Sequence, residues 1–397
     1  MKSATSFLWR VCVAGFATQI AACSGFFGSK TDLKFIEQPT YNNKPVAYVP
    51  VQPVLKNFIR PVDVIAGWDE LIYVADAGTE EIISFDQAGN ELGRFKVQGL
   101  RAIAQDRKMD IVALGTRDTT VQGTAYTLPA VYRIAQEKTG AYGLKNAKIT
   151  RILTHPFCFN KAATPTGADV AARFEGVAIL GDNSYYVTRS GSGNGSAADA
   201  IVKFDANDRF QSPIYITTDL GIFSDYFKKP KAITSFIAPP QTAAISLSDG
   251  NFCYTSYENS VPFRSQVIQY QADDFGASYS IKQLPPDTSK ANRFLYTTNR
   301  FTQPADVCVS GDGTNYIFMV DAARDSLYQF NAKGYEGVNP PPGYKGNKVI
   351  LASFGGTGTG LTQFKQPSGV AYLNKIVYVA DAGNGRVLRF KLTTDFE

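Results

Sequence analysis

The stretch FKQPSGVAYLNKIVYVADAGNGRVLRF, residues 364–390, consists of short apolar runs separated by turn residues. SGVAYL, KIVYVAD and GRVLRF alternate apolar with other side chains, and Asn374 and the AGN segment stand between them. Alternation with a period of two predicts short β-strands joined by tight turns. A second stretch, RPVDVIAGWDELIYVADAGTEEIISF at residues 60–85, repeats the pattern and shares the segment YVADAG.

Four further copies of the three-strand pattern lie between these two, and they begin at LRAIAQD, FEGVAIL, PKAITSF and PADVCVS. We expect a loop at Gly115–Leu128 to split the second copy, and ELGRFKV to add a fourth strand to the first. Six small antiparallel sheets predict an all-β, six-bladed β-propeller, because stacking around an axis buries both faces of each sheet. The last copy stops after three strands, so Val46–Phe58 either supplies its fourth strand and closes the ring or belongs to a tether.

The stretch FGGTGTGLTQFKQPSGVAYLNKIVYVADAGNGRVLRF is similar to the NHL repeat, a Gly-rich turn followed by F-x-x-P-x-G-V-A and I-Y-V-A-D-x-G-N-x-R-[IV]-x-x-F. The match is nearly complete over Gly355–Phe390, good over Arg60–Phe85 and fair over Gln303–Phe330. This resemblance implies an NHL-type six-bladed propeller, and it is specific for fold rather than for activity. We therefore interpret YVADAG as architectural, with Asp76 or Asp381 binding the amides of a turn.

The N-terminus has the pattern of a secretory signal. Lys2 and Arg10 accompany an apolar run, Val11–Ile20, that is too short to span a bilayer. Ile20-Ala21-Ala22-Cys23 resembles the lipobox of bacterial lipoproteins, which implies cleavage before Cys23 and acylation of its thiol and of the new amino group. The alternative is an ordinary signal peptide in which a cysteine stands by chance.

On the lipoprotein interpretation, residues 1–22 are a signal peptide, residues 23–45 a flexible tether and residues 46–397 the propeller. Several acyl chains would anchor the protein stably to a membrane. Ser24 follows the cysteine where an Asp would resemble an inner-membrane retention signal, so the resemblance implies an outer-membrane location on the periplasmic or surface face.

Composition excludes several classes of site. The formal net charge is +5 and no block of Lys or Arg stands out, so we expect no nucleic-acid partner. His155 is the only histidine, which rules out a zinc site built from two or three histidines of one chain. Beyond the N-terminal segment, Cys158, Cys253 and Cys308 form no CxxC pair, and the apolar runs around Cys253 and Cys308 favour buried thiols over a disulfide.

Candidate binding residues stand at the start of the innermost strand of each copy, where six positions should encircle one mouth of the central channel: Val62, Arg101, Glu175, Lys231, Ala305 and Ser368. Two interpretations remain open for this mouth. It is either a water-filled rim with scattered charges or a pocket in which Arg101 and Lys231 pair with a carboxylate or phosphate. The predicted ligand-binding set is Arg101, Glu175, Lys231, Ser368, Asp63 and Asp306.

Enzymes among six-bladed relatives offer two comparisons. The lyases of this shape use several histidines, which a chain with one histidine cannot provide. Lactonase-like propellers hold Ca²⁺ with Glu, Asn and Asp at inner strand starts, and Glu175 resembles that acidic position although the companion Asn residues are not evident. We therefore expect no cofactor, with Glu175 as the only Ca²⁺ candidate, and assign no catalytic residue. GGTGTG at Gly355–Gly360 is followed by Leu361, so it indicates a turn and not a phosphate loop.

Together these features predict a lipid-anchored binding or scaffold module of an envelope complex for assembly, secretion or transport. Its expected partners are envelope proteins or cell-wall polymer, and it is expected not to be an enzyme. Three insertions, Gly191–Asp199, Ile237–Ser248 and Glu336–Lys348, are candidate contact surfaces because the repeat needs none of them. The alternative function is a Ca²⁺-dependent lactonase-like hydrolase or a small-ligand binder at the channel mouth.

Overall fold

The computed structural model describes residues 45–138, 140–159, 164–191, 195–240, 249–273 and 276–396. The predicted signal peptide, Cys23, nearly all of the predicted tether, and parts of the first two insertions (192–194 and 241–248) lie outside these residues. Six β-sheets follow one another along the chain, and we number them blade 1 to blade 6. Apart from these sheets, the described residues form one small hairpin and a few short helical turns.

The strands of each blade are given from the channel outwards. Blade 1 contains Pro61–Ala66, Ile72–Asp76, Glu81–Phe85 and Glu91–Lys96. Blade 2 contains Ala102–Gln105, Ile111–Val121, Thr124–Ala135 and Lys148–Thr154. Blade 3 contains Arg173–Ile179, Tyr185–Ser190, Ala200–Phe204 and Phe210–Pro213.

Blade 4 contains Pro230–Ser235, Phe252–Ser256, Ser265–Asp273, Gly276–Ile281, Ile216–Thr218 and Gly221–Phe223. Blade 5 contains Pro304–Val309, Ile317–Asp321, Ser326–Phe330 and Phe354–Gly355. Blade 6 contains Pro367–Leu373, Ile376–Asp381, Arg386–Leu392 and Tyr48–Leu55. The small hairpin pairs Glu137–Lys138 with Ala141–Tyr142, and the short helices are Gly167–Ala171, Leu144–Asn146, Phe157–Phe159, Gly195–Ala197, Ala382–Asn384 and Thr393–Asp395.

The blades form a closed ring. The first strand of each blade contacts the first strand of the next, and that of blade 6 contacts that of blade 1. The core lies between neighbouring blades, where buried aliphatic and aromatic side chains from the facing sheets meet; between blades 2 and 3, for example, Val112 packs in one cluster with Phe174 and Val187. A six-bladed β-propeller is therefore the fold of this chain, as the repeat predicted.

The ring closes through both ends of the propeller, which confirms the strand interpretation of Val46–Phe58. Tyr48–Leu55 pairs antiparallel with Arg386–Leu392, and Tyr48 lies opposite Leu392. Tyr48 also packs edge-on against Phe318 of blade 5, with ring centroids 6.4 Å apart. The N-terminal strand thus completes blade 6 and contributes to the seam between blades 5 and 6.

Two predictions about blade 2 are wrong. Gly115–Leu128 is not a loop, because the second and third strands continue as one long hairpin whose last pair is Val121 with Thr124. The turn is made by Gln122 and Gly123, which have φ values of 50° and 81°, the left-handed pair that suits a two-residue hairpin. The six copies of the pattern leave out the segment ITRILTHPFCFN around His155, but Lys148–Thr154 is the fourth strand of blade 2, separated from the third by the inserted small hairpin.

Among the described residues, no helix is both long and apolar enough to cross a membrane.

Candidate functional site at the channel mouth

The candidate residues lie at irregularities of the innermost strands. In blades 1, 3, 5 and 6 the pairing of the first two strands shifts by one residue, which leaves one residue over on the first strand: Val62, Glu175, Ala305 and Ser368. In blade 4 the shift spans Lys231 and Ala232. A β-bulge bends the strand and redirects the extra side chain. All six candidate positions, including Arg101 just before the first strand of blade 2, line the channel.

Glu175 is held between the two cations of this mouth. Its carboxylate lies 2.7 Å from the Lys231 ammonium and 3.6 Å from the Arg101 guanidinium. Burial acts to raise the pKa of Glu175, but Lys231 and Arg101 outweigh it, so the pKa is lowered and the carboxylate is ionised at neutral pH. Three blades therefore contribute to one ion-pair cluster, because the three residues belong to blades 2, 3 and 4.

This pairing bears on the predicted anion pocket. An entering carboxylate or phosphate must displace Glu175 from Lys231 or Arg101, since both cations already have a carboxylate partner. The pocket stays a prediction, and replacing both cations by Ala should abolish any anion binding at the mouth. Glu175 also lies among cations, whereas Ca²⁺ takes several oxygen ligands. Within the described part of the chain, no group of three or more His, Cys, Asp or Glu residues could hold a metal ion.

Asp63 and Asp306 link neighbouring blades. Asp63 Oδ2 accepts a hydrogen bond from the Ile103 amide of blade 2 at 2.8 Å. Asp306 Oδ2 accepts one from the Val370 amide of blade 6 at 2.7 Å. Burial raises the pKa of Asp63 to about 6, and burial together with the charge of Asp63 raises the pKa of Asp306. These two carboxyls therefore have a structural role between blades, in addition to lining the channel.

The same position holds glycine in blades 3 and 6, where the neighbouring blade comes closer. A Cβ atom on Gly369 would lie 2.8 Å from the Val64 amide nitrogen. A Cβ atom on Gly176 would lie 2.8 Å from the Lys231 carbonyl oxygen. Ser368 next to Gly369 donates its hydroxyl hydrogen to the Pro61 carbonyl at 2.7 Å. At this position, the carboxyls of blades 1 and 5 thus attach one blade to the next, and the glycines of blades 3 and 6 let neighbouring backbones approach closely.

The channel contains a cavity of about 130 Å³, which is lined by the mouth residues and also by Trp68 and Tyr372. Lys231 acts on both acidic residues in this space, since its charge lowers the pKa values of Asp63 and Asp306 against the effect of burial. The five charged residues of the predicted site are therefore one electrostatically connected group, although they come from five blades.

His155 lies apart from the residues of the channel mouth. It follows the fourth strand of blade 2, is fully buried, and lies with Nε2 3.1 Å from Asp169 Oδ1. Asp169 caps the helix Gly167–Ala171, in a reciprocal arrangement with Thr166. The ring of His155 meets Phe159 and Phe174 edge-on, with centroids 5.5 and 5.9 Å away. The histidine thus joins a packed aromatic cluster and does not line the channel.

The sequence analysis did not predict one surface feature, the hairpin formed by Ile216–Thr218 and Gly221–Phe223 at the outer edge of blade 4. The signal is present in ITTDLGIF, two short β-prone runs around a turn, but it lies between two copies of the repeat. A search confined to the repeat pattern passes over such a segment.

Comparison with known proteins gives one family match and several structural likenesses. The NHL repeat model matches residues 364–390. No curated protein sequence matches the chain. Among solved structures, a streptogramin B lyase is 12% identical with a TM-score of 0.45, covering 87% of this chain and 98% of its own. An auxiliary nutrient binding protein from Bacteroides ovatus is 11% identical with a TM-score of 0.48, covering 89% and 75%.

A PQQ-bound aldose sugar dehydrogenase from Streptomyces coelicolor is 10% identical with a TM-score of 0.47, covering 90% of this chain and all of its own. Likeness at this level carries nothing about activity or ligand. The strand order of the six sheets and the match at residues 364–390 do decide the architecture. The chain is a six-bladed β-propeller whose last blade is an NHL repeat.

Proposed function

We propose that this protein is a lipid-anchored scaffold of the bacterial cell envelope, a rigid ring that binds partner proteins at its rim. The observation that carries the proposal is that two blades extend beyond what a four-stranded blade needs. Blade 2 extends its central hairpin to Gln122–Gly123, and blade 4 adds two strands to reach six. The ring needs neither extension to close, so both are available for contacts outside it.

The hairpin of blade 2 supplies a mainly polar extension. Residues 117–127 are exposed or half-buried, and Thr127 donates its hydroxyl hydrogen to Asp118 across the strands at 2.6 Å. The channel mouth is in contrast internally paired, because Glu175 neutralises one of the two cations beside it. An exposed polar extension at the rim and ion-paired charges at the channel mouth together favour partner binding at the rim over chemistry in the channel.

The anchor is tested by growing cells with an alkyne-tagged fatty acid. Wild-type protein should take up the tag and sediment with membranes, whereas Cys23→Ala should lose the tag and keep residues 1–22. Cys12→Ala is the matched control, because Cys12 lies inside the apolar run and not at its end. Equal tagging of the Cys23→Ala variant would overturn the anchor.

The scaffold is tested by photo-crosslinking in living cells. A photoreactive residue at Thr120, near the tip of the blade 2 hairpin, should give discrete adducts with envelope proteins. The same residue at Glu91, on the outer strand of blade 1, is the control for chance collisions. If Thr120 gives no more adducts than Glu91, the blade 2 extension does not bind partners and the scaffold loses its main support.

A further inference from the structure

The hairpin at the edge of blade 4 exposes an unusual amount of apolar surface. Four large apolar side chains lie within nine residues: Tyr215 is 43% exposed, Leu220 90%, Ile222 72% and Phe223 39%. A scattered exposed Leu is ordinary on a protein surface, but a group of this kind on one small element marks a contact site.

The hairpin is fixed firmly to the propeller. Ile216 pairs in parallel with Tyr279 of blade 4. Ile216 is fully buried and shares the core between blades 3 and 4 with Ile214 and Phe227. The exposed residues are therefore displayed in a defined orientation, and a partner would lose little free energy in ordering them.

The outer strand of this hairpin is an open edge. Gly221, Ile222 and Phe223 pair inwards with Thr218, Thr217 and Ile216. Paired residues alternate along an antiparallel strand, so Gly221 and Phe223 direct their backbone groups inwards and Ile222 directs its amide and carbonyl outwards. The outward groups of Ile222 have no hydrogen-bond partner within the described part of the chain. Unpaired backbone groups of this kind form a template on which a further strand can pair.

The other five blades protect their outer edges with features known to prevent strand addition. The outer strands of blades 1 and 2 carry charged residues, which are Glu91, Arg94 and Lys96 in blade 1 and Lys148 and Arg151 in blade 2. Proline ends the outer strand of blade 3 at Pro213 and interrupts that of blade 6 at Pro50 and Pro53. The outer strand of blade 5, Phe354–Gly355, is only two residues long. Gly221–Phe223 carries neither charge nor proline. The apolar edge of blade 4 is thus an exception within one molecule.

A groove of about 500 Å³ lies beside the hairpin, between the outer strands of blades 3 and 4. Tyr215 and Ile222 form one part of its wall, and Tyr270 and Tyr279 another. The Lys203 ammonium lies 5.7 Å from the centre of the Tyr270 ring. Side chains of an added strand that point to the same side as Ile222 would lie over this groove, because side chains alternate between the two faces of a strand.

We propose that the edge of blade 4 binds an extended apolar peptide segment of a partner protein, which adds a strand beside Gly221–Phe223. Main-chain hydrogen bonds would supply affinity, and the groove would select alternate side chains for β-branched or aromatic types. This inference rests on the proposed function, since it names the kind of partner that one side of the rim accepts.

A lipid surface fits this hairpin less well. Membrane-binding tips combine apolar residues with free cations, and here Lys228 pairs with Asp225 at 3.0 Å and Lys229 with Glu258 at 3.1 Å. Asp219 stands at the turn itself. Lipid also offers no regular donors and acceptors to the open backbone edge.

A second copy of this chain fits less well too. A stable dimer needs an interface of about 1,000 Å² or more, and a strand of three residues with four side chains provides only part of that. A peptide segment needs no such area, because it can pair with the edge and cover the groove together.

The test uses a chain of residues 45–397, which contains the propeller, and a display library of short random peptides. Peptides that bind wild type but not Leu220→Asp/Ile222→Asp should be enriched in alternating β-branched and aromatic residues. Their affinity should fall at least about tenfold in that double variant. Leu92→Asp is the matched control, because Leu92 is an exposed apolar residue, 40% exposed, on the charged edge of blade 1. Circular dichroism and the melting temperature establish that each variant is folded.

A second arm separates strand pairing from general apolar adhesion. Methylating alternate amide nitrogens of a selected peptide should abolish binding when the edge-facing amides are blocked, and should spare it when the other set is blocked. Equal effects of both sets would overturn the proposal, as would a library that yields no Leu220-dependent peptide. Flotation of the wild-type propeller with phosphatidylethanolamine–phosphatidylglycerol vesicles, or an Ile222-dependent dimer in sedimentation, would also overturn it.

The scaffold proposal and the blade 4 peptide proposal can be disproved independently. If Cys23 is not acylated and Thr120 finds no partner, peptide binding at blade 4 is still measured directly on the purified propeller. If no peptide binds there while Thr120 crosslinks envelope proteins, the scaffold stands and only the blade 4 site is wrong.

Discussion

Asp76, Asp321 and Asp381 hold the same place in blades 1, 5 and 6, and all three are fully buried. Asp76 accepts hydrogen bonds from the amides of Ile59, Arg60 and Gly78 at 2.8–2.9 Å. The carboxylate thus attaches the segment that enters the blade to the turn after its second strand. The sequence predicted this architectural role for YVADAG, because a turn aspartate followed by small residues is a common binder of backbone amides.

Asp76→Asn should destabilise the propeller by about 1–3 kcal/mol, since the amide group presents one acceptor oxygen and turns an NH₂ towards backbone donors. The measurement is urea unfolding of residues 45–397. Asp86→Asn is the control, because Asp86 accepts from Asn90 on an exposed turn, and it should change stability by less than about 0.5 kcal/mol. Equal effects of the two variants would show that burial of the Asp76 carboxylate is unimportant.

Asp63 makes stability depend on pH in a defined direction. Its pKa in the folded protein is about 6, above the ordinary value of 3.8, so the folded state holds the proton more tightly than the unfolded chain. Its contribution to stability is therefore complete below pH 3.8 and is lost as pH rises through about 6. Asp63→Asn carries no charge and retains an oxygen that can accept from Ile103.

Between about pH 4 and pH 7, Asp63→Asn should gain stability relative to wild type by about 1–2 kcal/mol. Urea unfolding at both pH values gives this difference. Asp225→Asn should not show the same trend, because Lys228 lowers the pKa of the exposed Asp225 carboxyl. A difference between wild type and Asp63→Asn that is constant over this range would contradict a raised pKa at Asp63.

At the scale of elements, the three inner strands of every blade were predictable because they are short apolar runs, buried between neighbouring blades and bounded by turn residues. The errors concern outer elements. Gly115–Leu128 is rich in Thr and Gly and faces solvent, so its strands carry little apolar alternation. Lys148–Thr154 is separated from its partner strand by an insertion, and Ile216–Phe223 precedes the strands that it extends. A segment of this kind can show that it forms a strand, but its sequence does not show which distant strand it pairs with.

The N-terminal strand is the element whose loss should matter most. Tyr48, Leu55 and Phe58 are 9%, 3% and 8% exposed, and burying three such side chains contributes on the order of 5 kcal/mol. A chain of residues 59–397 should therefore unfold at clearly lower urea than a chain of residues 45–397. It should also aggregate more readily, since Arg386–Leu392 becomes an open edge. Equal urea midpoints for the two chains would show that the strand is not required for closure.

At the scale of the whole molecule, repeat counting placed the channel residues around one mouth, but it could not show their partners. Glu175, Lys231 and Arg101 come from three blades, and their pairing depends on how the closed ring sets the blades against one another. The sequence therefore located the cations and left open whether the mouth is a charged rim or an anion pocket. The structure adds that the Glu175 carboxylate lies between them. The distances between residues of different blades depend on how many blades form the ring and on the β-bulges of the innermost strands. Neither can be determined from the sequence of one copy of the repeat.

Ring closure also makes a prediction about cooperativity. Cys253 is fully buried between blades 4 and 5, and burial raises its pKa to about 12. A thiol reagent can reach it only when that seam opens, because the reactive thiolate needs both access and ionisation. In a closed ring, separating two blades also disturbs the other seams, so we expect the seam to open only when the whole propeller unfolds.

The measurement uses residues 45–397 with Cys158→Ala and Cys308→Ala, so that Cys253 is the remaining thiol. The free energy of opening from labelling rates in urea should equal the free energy of global unfolding from tryptophan fluorescence, with the same denaturant slope. In the chain of residues 59–397, labelling should become faster and less dependent on urea, since an interrupted ring lets seams open one at a time. A low opening free energy with a shallow slope in the intact ring would mean that blade 4 opens alone, and closure by the N-terminal strand would then not couple the blades.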